Sequence, residues 1–150
     1  KEETEPLAIG TPVPALTGTL YPNEEAVSLE DYKGKLVLVD FWYMDCYPCI
    51  KAIPHLGELY NKYKDQGFEV LGVNPYNNNE KDLKRFPKFL SKTPIEYPFI
   101  FTEREAPMPF KVHAYPTFYL IGRDGKVVHT QVGFAEQLAA QIDSLVRVNL

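Results

Sequence analysis

Leu36-Val37-Leu38-Val39-Asp40-Phe41-Trp42, then Tyr43-Met44-Asp45, then Cys46-Tyr47-Pro48-Cys49 with Pro54 downstream, is the stretch that decides the fold. Its first part is a near-continuous apolar run of strand length, preceded by Lys33-Gly34-Lys35. A strand apolar on both faces belongs at the centre of a parallel sheet covered by helices. Beyond the short loop, Ile50, Ile53, Leu56, Leu59 and Tyr60 recur at close to the helical period, predicting a helix over residues 47–64 that closes at Gln66-Gly67. The two cysteines therefore sit where a buried strand turns into a helix.

Outward from that centre, residues 13–20 and 26–29 predict short strands around a turn at Tyr21-Pro22-Asn23. Residues 68–73 form a second buried strand, followed by a polar loop through Asn74 to Glu80. Residues 81–90 are amphipathic, with Pro87 kinking or ending the helix, and Glu80, Lys81, Asp82, Lys84 and Arg85 read as its solvated face. An aromatic strand follows at 97–101, and a short helix or irregular turn at 105–113 around Pro107 and Pro109. Residues 117–121 and 126–132 flank Arg123-Asp124-Gly125, where the Asp-Gly pair marks a hairpin. Leu138, Ile142, Leu145 and Val146 define the stripe of a last helix over 135–148. This order gives an α/β fold with a mixed sheet.

A chain of 150 residues fits one domain, set here at residues 13–150, with residues 1–12 as a flexible lead-in or linker remnant. With 16 Lys+Arg against 20 Asp+Glu, the net charge of -4 gives no reason to expect a nucleic-acid partner. No apolar stretch approaches the roughly 20 residues that cross a bilayer, so a soluble domain is expected. The charged start, Lys1-Glu2-Glu3-Thr4-Glu5-Pro6, is not a signal peptide and reads as the remainder of a linker after a signal or membrane anchor, a piece of a longer multidomain protein being equally consistent.

At a helix start, free backbone N–H groups and the positive end of the dipole favour a thiolate on Cys46. Thiols so placed have pKa values of roughly 3.5–7.5, and Cys49, one turn inside, is poised to attack a mixed disulfide. Pro48 suits the first helical turn. A structural disulfide over so short a loop constrains the unfolded chain little. A zinc site needs about four ligands, with His55, His113 and His129 as the remaining candidates, and His55 is half a turn out of phase with Cys46. No metal is expected. A carboxyl at Asp40, inside an apolar strand, is costly unless partnered or protonated.

Val39-Asp40-Phe41-Trp42, Cys46-Tyr47-Pro48-Cys49 and Pro54 closely resemble the active-site segment of thioredoxins, and Val112-His113-Ala114-Tyr115-Pro116-Thr117-Phe118 resembles their cis-proline loop. The N-terminal extension and the long gap between Cys49 and Pro116 resemble the TlpA/ResA-like branch. The resemblance implies a thioredoxin-like three-layer α/β/α sandwich with a mixed central sheet and an inserted helix–strand unit. It implies a thiol–disulfide oxidoreductase with Cys46 as nucleophile, Cys49 as resolving thiol and Asp40 as proton acceptor for Cys49. Trp42, Tyr47, Pro48, Tyr115 and a cis Pro116 would then contact substrate, with Tyr43 beside Trp42 lining the same surface, although aromatics next to a central strand are more often core. Electrons would pass through the Cys46–Cys49 pair with no bound cofactor.

The branch further implies an extracytoplasmic location, protein disulfide substrates such as apocytochrome c, a membrane thiol transporter as electron donor, and a monomer. Where the branch usually carries Trp before the first cysteine, this chain has Asp45, a carboxylate expected to oppose thiolate formation at Cys46. The branch's acidic residue after the second strand has no counterpart, because Asn74-Pro75-Tyr76-Asn77-Asn78-Asn79 fills that region. With Asp45, Pro48 and Asp40 around the pair, a reductase is expected. A thiol peroxidase, which would want Thr-x-x-Cys, and a copper carrier using both cysteines and His113 are the alternatives.

Overall fold

A computed structural model describes residues 5–150. The apolar run becomes β3 (Leu36–Phe41), buried at every position. It lies between β4 (Phe68–Asn74), parallel to it, and β6 (Thr117–Ile121), antiparallel. Beyond β4 come β5 (Phe99–Phe101), β1 (Thr17–Leu20) and β2 (Ala26–Ser28); beyond β6 comes β7 (Val127–Val132). The seven strands run in the order β2-β1-β5-β4-β3-β6-β7, a mixed sheet as expected. The strand at 97–101 is shorter than expected and begins at Phe99.

Alternation along β3 divides the core. Leu36 and Leu38 face α1 (Tyr47–Tyr63) and α4 (Gln137–Asn149), packing with Ala52, Leu56, Leu59, Ile142 and Val146. Burying side chains of this size stabilises by roughly 1.5–3 kcal/mol each, which fixes α1 over the sheet. Asp143 of α4 ties the two helices, accepting from the Tyr63 hydroxyl at 2.6 Å and the Lys62 ammonium at 2.9 Å. Val37, Val39 and Phe41 face the other way, against Leu7, Leu16, Leu29 and Phe110. That third layer comes from the chain before β1 and from the 3-10 turns Leu29–Tyr32 and Met108–Phe110.

Two expectations are corrected. The lead-in is docked over residues 7–12: Leu7 donates to the Tyr119 hydroxyl at 2.9 Å, and Gly10 and Thr11 exchange backbone hydrogen bonds with Val127. Burial of Leu7 and coverage of the β7 edge hold this segment down. Residues 1–4 of the lead-in lie outside the described residues. The helix at 81–90 is two helices, α2 (Glu80–Leu83) and α3 (Phe86–Lys92). The break falls before Pro87, which sits in the first turn of α3, where its missing N–H has no intrahelical partner to lose.

Candidate active site

The redox pair is built by the β3–α1 junction. Cys46 is the N-cap of α1 in an extended conformation, and its sulfur accepts the Cys49 backbone N–H at 3.3 Å. That contact places the sulfur on the free donors of the helix start, where negative charge is stabilised. Cys46 and Cys49 are joined as a disulfide with Cα atoms 5.2 Å apart. Cys46 is 4% exposed and Cys49 0%, so an incoming sulfur can reach only the first. Tyr47 stands at the rim at 69% exposure, with the Lys51 ammonium 5.9 Å over its ring, and Pro48 occupies the first helical turn.

Asp40 is fully buried, on the same face of β3 as Leu36 and Leu38 and so toward α1. Its register neighbours are Gly72 on β4 and Phe118 on β6, which offer no polar side chain. Neither carboxyl oxygen has a hydrogen-bond partner among the described residues. Desolvation pushes its pKa from 3.8 to about 8. At neutral pH in the disulfide state the group is mostly protonated.

Tyr115-Pro116 is cis, as the resemblance implied. The carbonyl of Pro116 accepts the N–H of Gly133, whose φ of 84° suits a residue without a side chain. Tyr115 is half-buried, its ring edge-on to Tyr43 at 5.4 Å and to Tyr76 at 5.6 Å. Arg104 lies 5.0 Å over the Tyr76 ring. Trp42 is a correction: at 1% exposure it is core, stacked on Phe89 and edge-on to Phe86 and Phe99, and offers no surface to a substrate. The aromatic at the surface is its neighbour Tyr43. Gly72 makes the space, since a Cβ there would lie 3.0 Å from the Trp42 indole nitrogen. His55 packs on Phe134, His113 is exposed and His129 is half-buried on β7. Among the described residues no three His, Cys, Asp or Glu side chains gather as a metal site.

The family model described as Redoxin matches residues 8–145. This chain belongs to the Redoxin family. It is 30% identical over 146 residues to the thiol-disulfide oxidoreductase ResA of Bacillus thuringiensis (strain Al Hakam), covering 97% of this chain and 80% of that protein. It is 35% identical over 121 residues to Protein DipZ of Mycobacterium bovis, covering 79% of this chain and 17% of that much longer one. A structure from Chlorobium tepidum assigned as a thiol:disulfide interchange protein DsbE superposes with a TM-score of 0.85 at 29% identity, covering 95% and 98% of the two chains. The thioredoxin domain of a thiol-disulfide oxidoreductase from Bacteroides vulgatus gives 0.79 at 30% identity, covering 93% and 99%. The chain is a ResA-like thiol–disulfide oxidoreductase of the thioredoxin superfamily.

Sequence reasoning missed how this chain holds its active-site loop. Asn77, buried, accepts the Met44 backbone N–H at 2.8 Å and the Asn74 side-chain amide at 3.0 Å, and donates to Asp82 at 2.9 Å. Asp82 also receives Asn79, and its carboxyl is held below the usual range, by the Asn77 amide first. Asp82 and Arg85, on the solvent-facing side as expected, are also engaged in ion pairs, Arg85 reaching Asp45 at 2.6 Å. The Asn run after β4 was the visible clue, since such residues satisfy backbone groups in turns. Replacing Asn77 with Ala leaves the Met44 N–H and the Asn74 amide buried without acceptors. A loss of about 1–3 kcal/mol in urea denaturation is expected. A loss under about 0.5 kcal/mol would show that the loop does not depend on this contact.

Proposed function

We propose that this chain is a reductase of protein disulfides, acting outside the cytoplasm as a monomer and recharged by a membrane thiol-transport protein. Cys46 thiolate attacks a substrate disulfide, forming a Cys46–substrate bond and releasing one substrate thiolate, which takes up a proton. Cys49, losing its proton to Asp40, then attacks the Cys46 sulfur, expelling the second substrate sulfur as a thiolate that takes up a proton from solvent, and leaving the Cys46–Cys49 disulfide. The donor dithiol reverses this at the enzyme, and Asp40 returns its proton to Cys49. The two electrons reside in the cysteine pair, so the cycle draws on no bound cofactor. Apocytochrome c, whose haem-attaching cysteines must be thiols, is a substrate of this class.

The observation that carries the direction is where the neighbouring cations are committed. Lys51 lies over Tyr47 and Arg85 is shared between Asp45 and Asp82, which leaves thiolate stabilisation at Cys46 to the helix start. Asp45 itself, taken from sequence as a free carboxylate beside the sulfur, is paired, so it carries less of the argument than the buried Asp40 does. A thiolate without a dedicated cation is not strongly favoured over the disulfide, and the dithiol is reducing. The likeness to ResA-like proteins supports the reading that the protein acts outside the cytoplasm; no helix among the described residues is long and apolar enough to cross a membrane. Equilibration in graded glutathione buffers should give a potential near thioredoxin's, about -270 mV. A value above about -180 mV, that of protein disulfide isomerase, would make the protein an oxidase or isomerase.

A further inference from the structure

Asp45 directly precedes the N-cap cysteine, and a carboxylate free to turn toward the sulfur would oppose ionisation of that thiol. The structure binds it elsewhere. From the junction of α2 and α3, the guanidinium of Arg85 places Nη2 at 2.6 Å from Asp45 Oδ1 and Nη1 at 3.3 Å from Oδ2. The same Nη1 lies 3.0 Å from Oδ1 of Asp82, and the other oxygen of Asp82 receives the amides of Asn77 and Asn79 at 2.9 Å each. Asn77 in turn holds the Met44 N–H. The chain of contacts runs from the inserted unit to both residues that lead into Cys46. A planar fork with several donors is what spans two carboxylates in fixed orientation; an ammonium, a point charge, would not.

We propose that Arg85 is a positioning residue for thiol exchange: by clamping the Asp45 carboxylate onto the inserted unit it keeps that charge off the Cys46 sulfur. The proposal rests on Cys46 being the attacking thiol. It explains how this chain carries an acidic residue beside its nucleophile without silencing it, and gives the α2–α3 insertion a task in the chemistry. Both partners are largely solvated, so the effect is electrostatic tuning.

The test is the pH dependence of alkylation of the reduced protein by limiting iodoacetamide, with the label mapped by mass spectrometry. In Arg85→Gln the Cys46 profile should move to higher pH by about half a unit, so that labelling on its acid limb slows about threefold. In an Asp45→Asn background the same substitution should move the profile by less than half as much, because there is no carboxylate left to release. An unchanged profile in Arg85→Gln overturns the proposal. Equal shifts in both backgrounds also overturn it, since Arg85 would then act through its own charge. Label on Cys49 instead of Cys46 would overturn the assignment of the nucleophile, and this proposal with it.

Discussion

Asp40→Asn should leave stability unchanged near pH 4 and raise it progressively above that, up to pH 8. The carboxyl has an ordinary value of 3.8 and is pushed to about 8 by burial. The folded state therefore holds this proton more tightly than the unfolded chain, and across that window the native protein carries the extra proton. Stability of the parent falls as pH rises through it, by up to ~1.4 kcal/mol per pH unit and ~6 kcal/mol in all. The amide does not ionise, so the variant's denaturation curves hold steady where the parent's decline. The same substitution removes the proton carried to and from Cys49. Reduction of the disulfide by dithiothreitol should slow by about 10²-fold, at the lower end of what a positioned acid or base supplies. The variant's rate profile should also lose its inflection near pH 8, while first attack by Cys46 in the reduced variant proceeds at the parent rate. Parallel stability curves for the two proteins would show that Asp40 is solvated, and an unchanged reduction rate that it handles no proton.

How much of this was legible in the sequence follows from the range of the forces involved. β3, α1 and the position of the cysteines between them are set by local patterning: an apolar run of strand length, a helical repeat, and Pro48 in the first turn. The burial of Asp40 was legible too, because the apolar residues on both sides of it leave no polar face. Trp42 was placed wrongly because strand alternation decides only which face a residue takes. Its face is closed by Phe86 and Phe89 of α3, some forty positions away in sequence. Asp45 and Arg85 illustrate the same limit. Each reads as a solvated charge on its own element, and only the docking of the inserted unit against the β3–α1 loop brings them to 2.6 Å. The lead-in was misjudged for a related reason: Leu7-Ala8-Ile9 is too short an apolar run to declare an element, and the Tyr119 hydroxyl that accepts the Leu7 N–H lies 112 positions away.

The division of labour between the cysteines gives the largest expected effect on turnover. Cys49→Ser removes the resolving thiol while keeping the N–H that the Cys46 sulfur accepts, so first attack is preserved. A hydroxyl does not displace sulfur from a mixed disulfide, and the reaction should halt with substrate covalently bound through Cys46. Turnover should fall by at least about 10³-fold, as when a member of a nucleophilic pair is deleted. The adduct should appear in mass spectrometry as protein plus one substrate chain, and dithiothreitol should release it. Cys46→Ser should form no adduct, because the remaining sulfur is 0% exposed and sits inside the first turn of α1. The two variants are distinguishable by burial alone: the same chemistry is present in both, and only one sulfur reaches the surface. An adduct on Cys46→Ser, with none on Cys49→Ser, would mean that the first turn of α1 opens in the reduced state and that Cys49 attacks first.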